Sequence, residues 1–321
     1  MRGNRVVAAV SALLLVSITA CGNDEPEAGN GLEKKTITVA ALPLLDVVAL
    51  HIAQERKLFE AEGLEVTVEP VAQSLAALPA LKNGQVDVIA GGNYVTFLQA
   101  HQQGTMKLRV LAPAAAVAPR FLQLVVLPGS PIRSVSDLAG KNVAVNILNN
   151  IQSLTFNEVL RAGNVDPATV KYRAVPFPQM DKALANGDVD AALTAEPFGT
   201  AITATLPARM ALDAGTGAVD GLPISGYLST DEWTAKNPKT AAAFQRAILK
   251  GQALASGDRA LVERVLPGYA KVDATTAKNA QLPAYPTAGD PTGLQKLADL
   301  MTSQKLLPGP FDVKTVVFTA A

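Results

Sequence analysis

Ala80-Leu81-Lys82-Asn83-Gly84-Gln85-Val86-Asp87 returns 103 residues later as Ala183-Leu184-Ala185-Asn186-Gly187-Asp188-Val189-Asp190, with six of the eight residues identical. Each copy reads as a helix end closed by Asn-Gly, because Gly takes the left-handed conformation that terminates a helix at little steric cost. A strand is expected at once after it, Val86 to Ala90 in the first copy and Val189 to Thr194 in the second. Self-similarity at so long a spacing points to one structural plan used twice.

The surroundings repeat as well. Before the first copy, Ile37 to Ala40 reads as a strand, Val47 to Glu62 as an amphipathic helix closed by Gly63, and Leu64 to Val68 as a half-buried strand. Before the second copy, the same order is carried by Asn142 to Asn146, by Leu154 to Ala162 closed by Gly163, and by Val170 to Val175. Strands alternating with helices of this length imply βαβ units and largely parallel sheets. The expected fold class is therefore α/β, with two similar lobes, each a doubly wound and mainly parallel sheet.

Length and composition agree. At about 150 residues per domain, 321 residues make two domains. Hydrophobic residues form 49% of the chain and charged residues 17%, ample material for two cores. Lys+Arg and Asp+Glu both total 28, so no basic excess is present to neutralise a nucleic-acid backbone, and no nucleic-acid partner is expected. One Cys excludes an intrachain disulfide and any zinc site built on several Cys ligands.

That Cys closes an N-terminal signal. Arg2 and Arg5 precede the apolar stretch Val6 to Ala20, and Ile18-Thr19-Ala20-Cys21 resembles a bacterial lipobox. Residues 1–20 are thus expected to be a lipoprotein signal peptide, cleaved to leave Cys21 as the first, lipidated residue. The segment that follows, to Lys35, is polar, Gly-rich and acidic, and is expected to be a flexible tether. The only membrane attachment expected is this lipid anchor, which places the body on the outer face of the cytoplasmic membrane.

Two turns of composition divide the remainder. Phe121 to Leu127 is an apolar run before the turn cluster Pro128-Gly129-Ser130-Pro131, and Tyr227-Leu228-Ser229 marks a second transition. Beyond it the pattern is helical, at Pro238 to Ser256, Arg259 to Val265, Ala274 to Gln281 and Leu294 to Ser303. One reading makes residues 36–120 and 227–321 a discontinuous first lobe and residues 121–226 the second, joined by a two-crossing hinge. The other reading is two sequential domains.

These segments together resemble the periplasmic-binding-protein type II fold, in the branch of ABC-transporter receptors for nitrate, sulfonate, taurine and thiamine-precursor pyrimidines. Lys57 to Val66, Ala80 to Asp87, Val135 to Val145, and Ala183 to Asp190 running on to Phe198 carry the resemblance in the family's order. It implies a discontinuous first lobe, a small solute bound between the lobes, and a monomer that presents its closed form to a membrane permease driven by an ATPase. No cofactor is implied.

Open parallel sheets bind ligands beyond the carboxyl ends of their strands. Four loops meet that condition, and the residues expected at the site are Leu44, Leu45 and Asp46; Gly92, Asn93 and Tyr94; Asn146, Asn150, Ile151, Gln152 and Ser153; and Glu196. Gly91-Gly92 would let a ligand approach the backbone closely. The amides and hydroxyl of Asn149 to Ser153 either donate to a ligand or cap the helix after them. These loops contain no Lys or Arg, so either neutral dipoles hold an anion or the solute is not a strong anion. Arg120 is the nearby cation, with a solvated surface position as its alternative. Glu196 either meets a ligand ammonium or caps the helix beginning at Pro197; the resemblance favours the cap. Tyr94, Phe177, Phe198 and Tyr227 are candidate apolar walls or core.

Catalytic signatures are missing. There is no G-x-S-x-G elbow, no Walker loop, and the glycines from Gly215 to Gly221 lack dinucleotide-binding spacing. His51 and Glu55 share a helix face but make only two metal ligands, and His101 has no evident partner in sequence. Relatives that build the thiamine pyrimidine resemble this scaffold with a sacrificial His and a Cys-rich motif; that motif is lacking, which leaves such an enzyme as the disfavoured alternative. A sensory receptor is a third reading.

Overall fold

The computed structural model describes residues 31–320; the expected signal segment and Cys21 lie outside them. Ten strands form two five-stranded sheets. The first holds β1 (Thr36–Ala41), β2 (Glu65–Pro70), β3 (Val88–Asn93) and β4 (Leu108–Ala116). The chain then crosses to the second sheet, made by β5 (Leu122–Val126), β6 (Asn142–Val145), β7 (Lys171–Ala174), β8 (Ala191–Ala195) and β9 (Arg209–Asp213). It returns to the first sheet as β10 (Pro223–Thr230). Strand membership therefore places the return crossing between Asp213 and Pro223, a little ahead of the expected boundary at residue 227.

Strand order is β2-β1-β3-β10-β4 in one sheet and β7-β6-β8-β5-β9 in the other. The two orders are the same plan. In each, the first three strands pair in parallel and the fourth runs antiparallel to both neighbours. That fourth strand, β10 or β5, is the one arriving from the other lobe. The sheets are mixed for this reason, and otherwise parallel. The central strands β3 and β8 are buried along their whole length, as sheets covered on both faces require. The edge strands β2 and β7 are half exposed and carry Glu65, Glu69, Lys171 and Arg173, charges that discourage edge pairing.

The repeated octapeptide does the same work in each lobe. Gly84 and Gly187 sit at φ +71° and +76° and end their helices. The terminal Asp then clamps the first strand of its own sheet. The Asp87 N–H donates to the Thr38 carbonyl at 2.8 Å while its carboxylate accepts from the Thr38 N–H at 2.9 Å. Asp190 treats Asn142 alike, at 2.9 and 2.8 Å.

Three local differences from expectation have physical reasons. The helix expected over Val47 to Glu62 is two, Val48–Glu55 and Leu58–Ala61, parted where Lys57 takes a left-handed φ of 54°. The end of the expected tether is ordered against the first lobe: Lys34 Nζ donates to Asp87 at 2.6 Å and Glu33 accepts from the N–H of Thr240 at 3.0 Å. The segment after β10 belongs to both lobes. Its helix Pro238–Gly257 lays Ala241, Phe244, Ala247 and Ile248 into the core of the first sheet, and a Cβ at Gly251 would stand 2.5 Å from the Ala49 carbonyl. After the last helix, Pro291–Ser303, Gln304 reaches the second lobe, accepting from Asn157 Nδ2 at 2.9 Å and donating to Leu154 O and Glu158.

Candidate functional site

The carboxyl ends of both sheets face one another, and the lobes meet there. Leu45 N–H donates to the Glu196 carbonyl at 3.2 Å, and Gln73 Nε2 to the Asn146 carbonyl at 2.6 Å. Between these contacts lies a cavity of about 30 Å³. A buried water needs about 10–15 Å³, so the space suits a head group of a few heavy atoms. Leu42, Leu44, Asp46, Ser74, Gly91 and Asn93 line it from the first lobe, and Asn146, Asn150, Ile151, Gln152, Phe177 and Ala195 from the second. The crossing strands contribute Phe121, Leu122, Ile224 and Ser225.

Seven of the residues expected from the sequence are thereby brought together: Leu44, Asp46, Asn93, Asn146, Asn150, Ile151 and Gln152. The other five stand elsewhere. Leu45 is fully buried core. At Gly92 a Cβ would meet the Leu228 side chain at 2.4 Å, so that glycine serves packing, and Gly91 faces the cleft instead. Tyr94 packs behind the first sheet, its hydroxyl filling the space beside Gly226. Ser153 is spent on a capping box with Asn150, as each side chain accepts the other's backbone N–H.

The side-chain donors expected to greet a ligand are also partly engaged. Gln152 Oε1 accepts from Asn146 N at 2.7 Å and from Asn150 Nδ2 at 3.1 Å, while its Nε2 donates to the Leu193 carbonyl. Asn93 caps its helix by accepting from Thr96 N at 2.9 Å. Two cleft atoms have no partner among the described residues: Asp46 Oδ1 and Asn146 Oδ1. Asp46 is 3% exposed, and its other oxygen accepts from Ser225 Oγ at 2.5 Å. Desolvation raises its carboxyl to about 6.

The NMT1/THI5-like family model matches residues 45–258, two thirds of the chain. The chain belongs to the NMT1/THI5-like family. Among curated proteins, the nitrate import ATP-binding protein NrtC of Synechocystis is 24% identical over 245 residues, 70% of this chain and 36% of that protein. The chain thus spans about a third of that relative's length. Among solved structures, the alkanesulfonate-binding protein SsuA of Xanthomonas axonopodis pv. citri bound to MOPS superposes with a TM-score of 0.75 at 21% identity, covering 89% of this chain and 98% of that one. The periplasmic nitrate-binding protein NrtA of Synechocystis gives 0.76 at 17% identity over 89% and 86%. The desulfurization enzyme DSZB gives 0.64 at 16% identity over 88% and 96%. The shared fold is that of periplasmic binding proteins, as the family resemblance implied, and it carries binding proteins and an enzyme alike.

In this NMT1/THI5-like chain Glu196 is fully buried, yet it does not line the cavity. Its carboxylate accepts from Gln123 Nε2 at 2.6 Å, Thr200 N at 3.0 Å, Thr200 Oγ1 at 2.7 Å and Gln281 N at 3.3 Å. Burial raises its carboxyl, and these four donors oppose the rise. Glu196 is a helix cap that also ties the second lobe to the C-terminal segment, so the ligand contact expected for it is corrected. Arg120 is exposed and holds the first crossing through its N–H to Asp213 at 2.9 Å. His51 stacks on Tyr269 with ring centroids 3.8 Å apart, and His101 accepts from Leu108 N at 2.9 Å. Both histidines are structural, and among the described residues no group of His, Cys, Asp and Glu is placed to hold a metal.

Ser74, Phe121, Leu122, Ile224 and Ser225 were not singled out from the sequence. The signal that points to four of them is topological: the fourth strand of each sheet begins at a crossing, so its first residues border the cleft.

Proposed function

We propose that this chain is the extracytoplasmic solute-binding component of an ABC importer. It captures a small solute between its lobes and hands it to a membrane permease energised by an ATPase. The observation that carries this reading is the part-polar cavity at the meeting of two like sheets, lined from both lobes and from both crossing strands. A cavity so divided favours closed lobes only when a ligand bridges them, which makes closure a report of occupancy. The reading is supported by family membership and by fold-sharing neighbours named as sulfonate- and nitrate-binding proteins.

In the same reading, residues 36–120 and the chain from β10 onward, residues 223–321, act as one lobe and the residues between the two crossings as the other, in a monomer. Cys21 carries the lipid that holds the body on the outer face of the cytoplasmic membrane. No helix among the described residues is long and apolar enough to cross a membrane. The solute leaves chemically unchanged, which separates a receptor from an enzyme on the same fold. Two measurements check this. Mass spectrometry of the solute released by unfolding the purified protein should return the same compound that rebinds, with no product. The full chain should partition with membranes and Cys21→Ser should not; a soluble wild type removes the anchor, and a transformed solute removes the receptor.

A further inference from the structure

Three acids are buried in the described residues: Asp46, Asp87 and Glu196. Two are compensated. Asp87 faces Lys34 at 2.6 Å and also accepts from Trp233 Nε1 at 2.8 Å and Thr38 N at 2.9 Å. Glu196 has its four donors. Asp46 has the Ser225 hydroxyl alone, and its Oδ1 is without a partner on the wall of the cleft. No Lys, Arg or His lines that cavity. The titratable groups nearest in effect are the hydroxyls of Tyr227 on β10 and of Tyr269 and Tyr285 in the C-terminal segment, all held neutral by burial. Tyr269 and Tyr285 are further committed to the carbonyls of Leu44 and Leu45, at 3.0 and 3.2 Å.

A buried carboxylate with no countercharge is expensive, and a fold keeps one where a ligand supplies the charge. Across the cleft, the Asn146 amide has an unpartnered oxygen too. An amide can turn to accept or to donate, so Asp46 fixes the sign of what enters. We infer that Asp46 Oδ1 receives a protonated amine or amidine of the solute, with Asn146 of the opposite lobe as its second contact, and that the solute class is ammonium- or amidinium-bearing rather than a bare oxyanion. This inference rests on the solute-receptor reading. It also resolves the alternative left open by loops lacking Lys and Arg.

The test is titration calorimetry on the purified full chain, stripped of bound solute. The probes are matched pairs differing only in the amine: 2-aminoethanesulfonate against ethanesulfonate, and 3-aminopropionate against propionate. Methylammonium, guanidinium and nitrate complete the set. The amine-bearing member of a pair should bind at least about tenfold tighter than its partner, and Asp46→Asn should abolish the difference. On the wild type alone, the amine's affinity should rise from about pH 5 to about pH 7.5 as the carboxyl ionises. This second readout stands even if the variant does not fold. Binding of nitrate or of an amine-free partner as tightly, or tightening as pH falls, would keep the receptor and overturn the inference, with Asp46 acting as a protonated donor. Silence from every probe would count against the receptor reading itself and take the inference with it.

Discussion

Burial moves Asp46 and His51 in opposite directions. The Asp46 carboxyl is raised to about 6 and the His51 imidazole lowered to about 4, each chiefly by desolvation. For Asp46 the folded state holds the proton more tightly, so its contribution is full below about pH 4 and is lost as pH rises through about 6. For His51 the folded state holds the proton less tightly, so its contribution is present above about pH 6.5 and is lost as pH falls toward 4. Each shift is worth about 3 kcal/mol at its limit. Between pH 4 and pH 6 the two trends oppose one another, and ligand-free wild type should show little pH dependence from this pair. Asp46→Asn removes one of them. It should melt several degrees above wild type at pH 7, with the gap closing toward pH 4, while its solute affinity falls. Thermal unfolding across that range checks the sign; a gap that does not change with pH would mean that folding leaves the Asp46 carboxyl's hold on its proton unchanged.

At the scale of elements, Gln304 ties the C-terminal segment to the second lobe through three residues. Its amide oxygen accepts from Asn157 and its nitrogen donates to Leu154 O and Glu158, all in the second lobe. Gln304→Ala should weaken solute binding about tenfold, equivalent to about 1.4 kcal/mol, by disfavouring the closed arrangement. The thermal stability of the solute-free protein should change little, because the core of neither sheet is touched. Calorimetric affinity beside the melting temperature separates these effects, and an unchanged affinity would assign Gln304 a surface role only.

The same scale explains what the sequence revealed. A repeated Asn-Gly turn and Asp were legible because the turn demands Gly and the clamp demands a carboxylate beside a strand N–H. Helices Arg259–Val265 and Pro238–Gly257 were legible from their apolar stripes. The strands β4 and β9 were not, since β4 is an Ala- and Pro-rich run and β9 is half exposed throughout. Asp46, Asn93 and Asn146 were found because strand ends predict loops at a cleft. Ser225 was missed because its place depends on which strand the returning chain joins, a long-range choice that no local pattern encodes. Glu196 was left between ligand contact and helix cap for a related reason: its three hydrogen-bonding residues, Gln123, Thr200 and Gln281, come from three separate parts of the chain.

Over the whole molecule, two like sheets are joined by a double crossing and closed by a C-terminal segment that touches both. In the receptor proposed above, such a body would open by hinge rotation, with the two crossings absorbing the change. Leu75 on the first lobe is 39% exposed, and Leu148 on the second is 48% exposed, each close in sequence to a residue of the Gln73–Asn146 contact. Spin labels at Leu75→Cys and Leu148→Cys, in a chain whose natural Cys21 is replaced by Ser, report the opening directly. The measurement is the distance distribution between them in the solute-stripped protein and again after the released solute is returned. The account predicts a longer or broader distribution that collapses to one short distance when the solute binds. The same distribution in both samples, with the solute demonstrably bound, would contradict it.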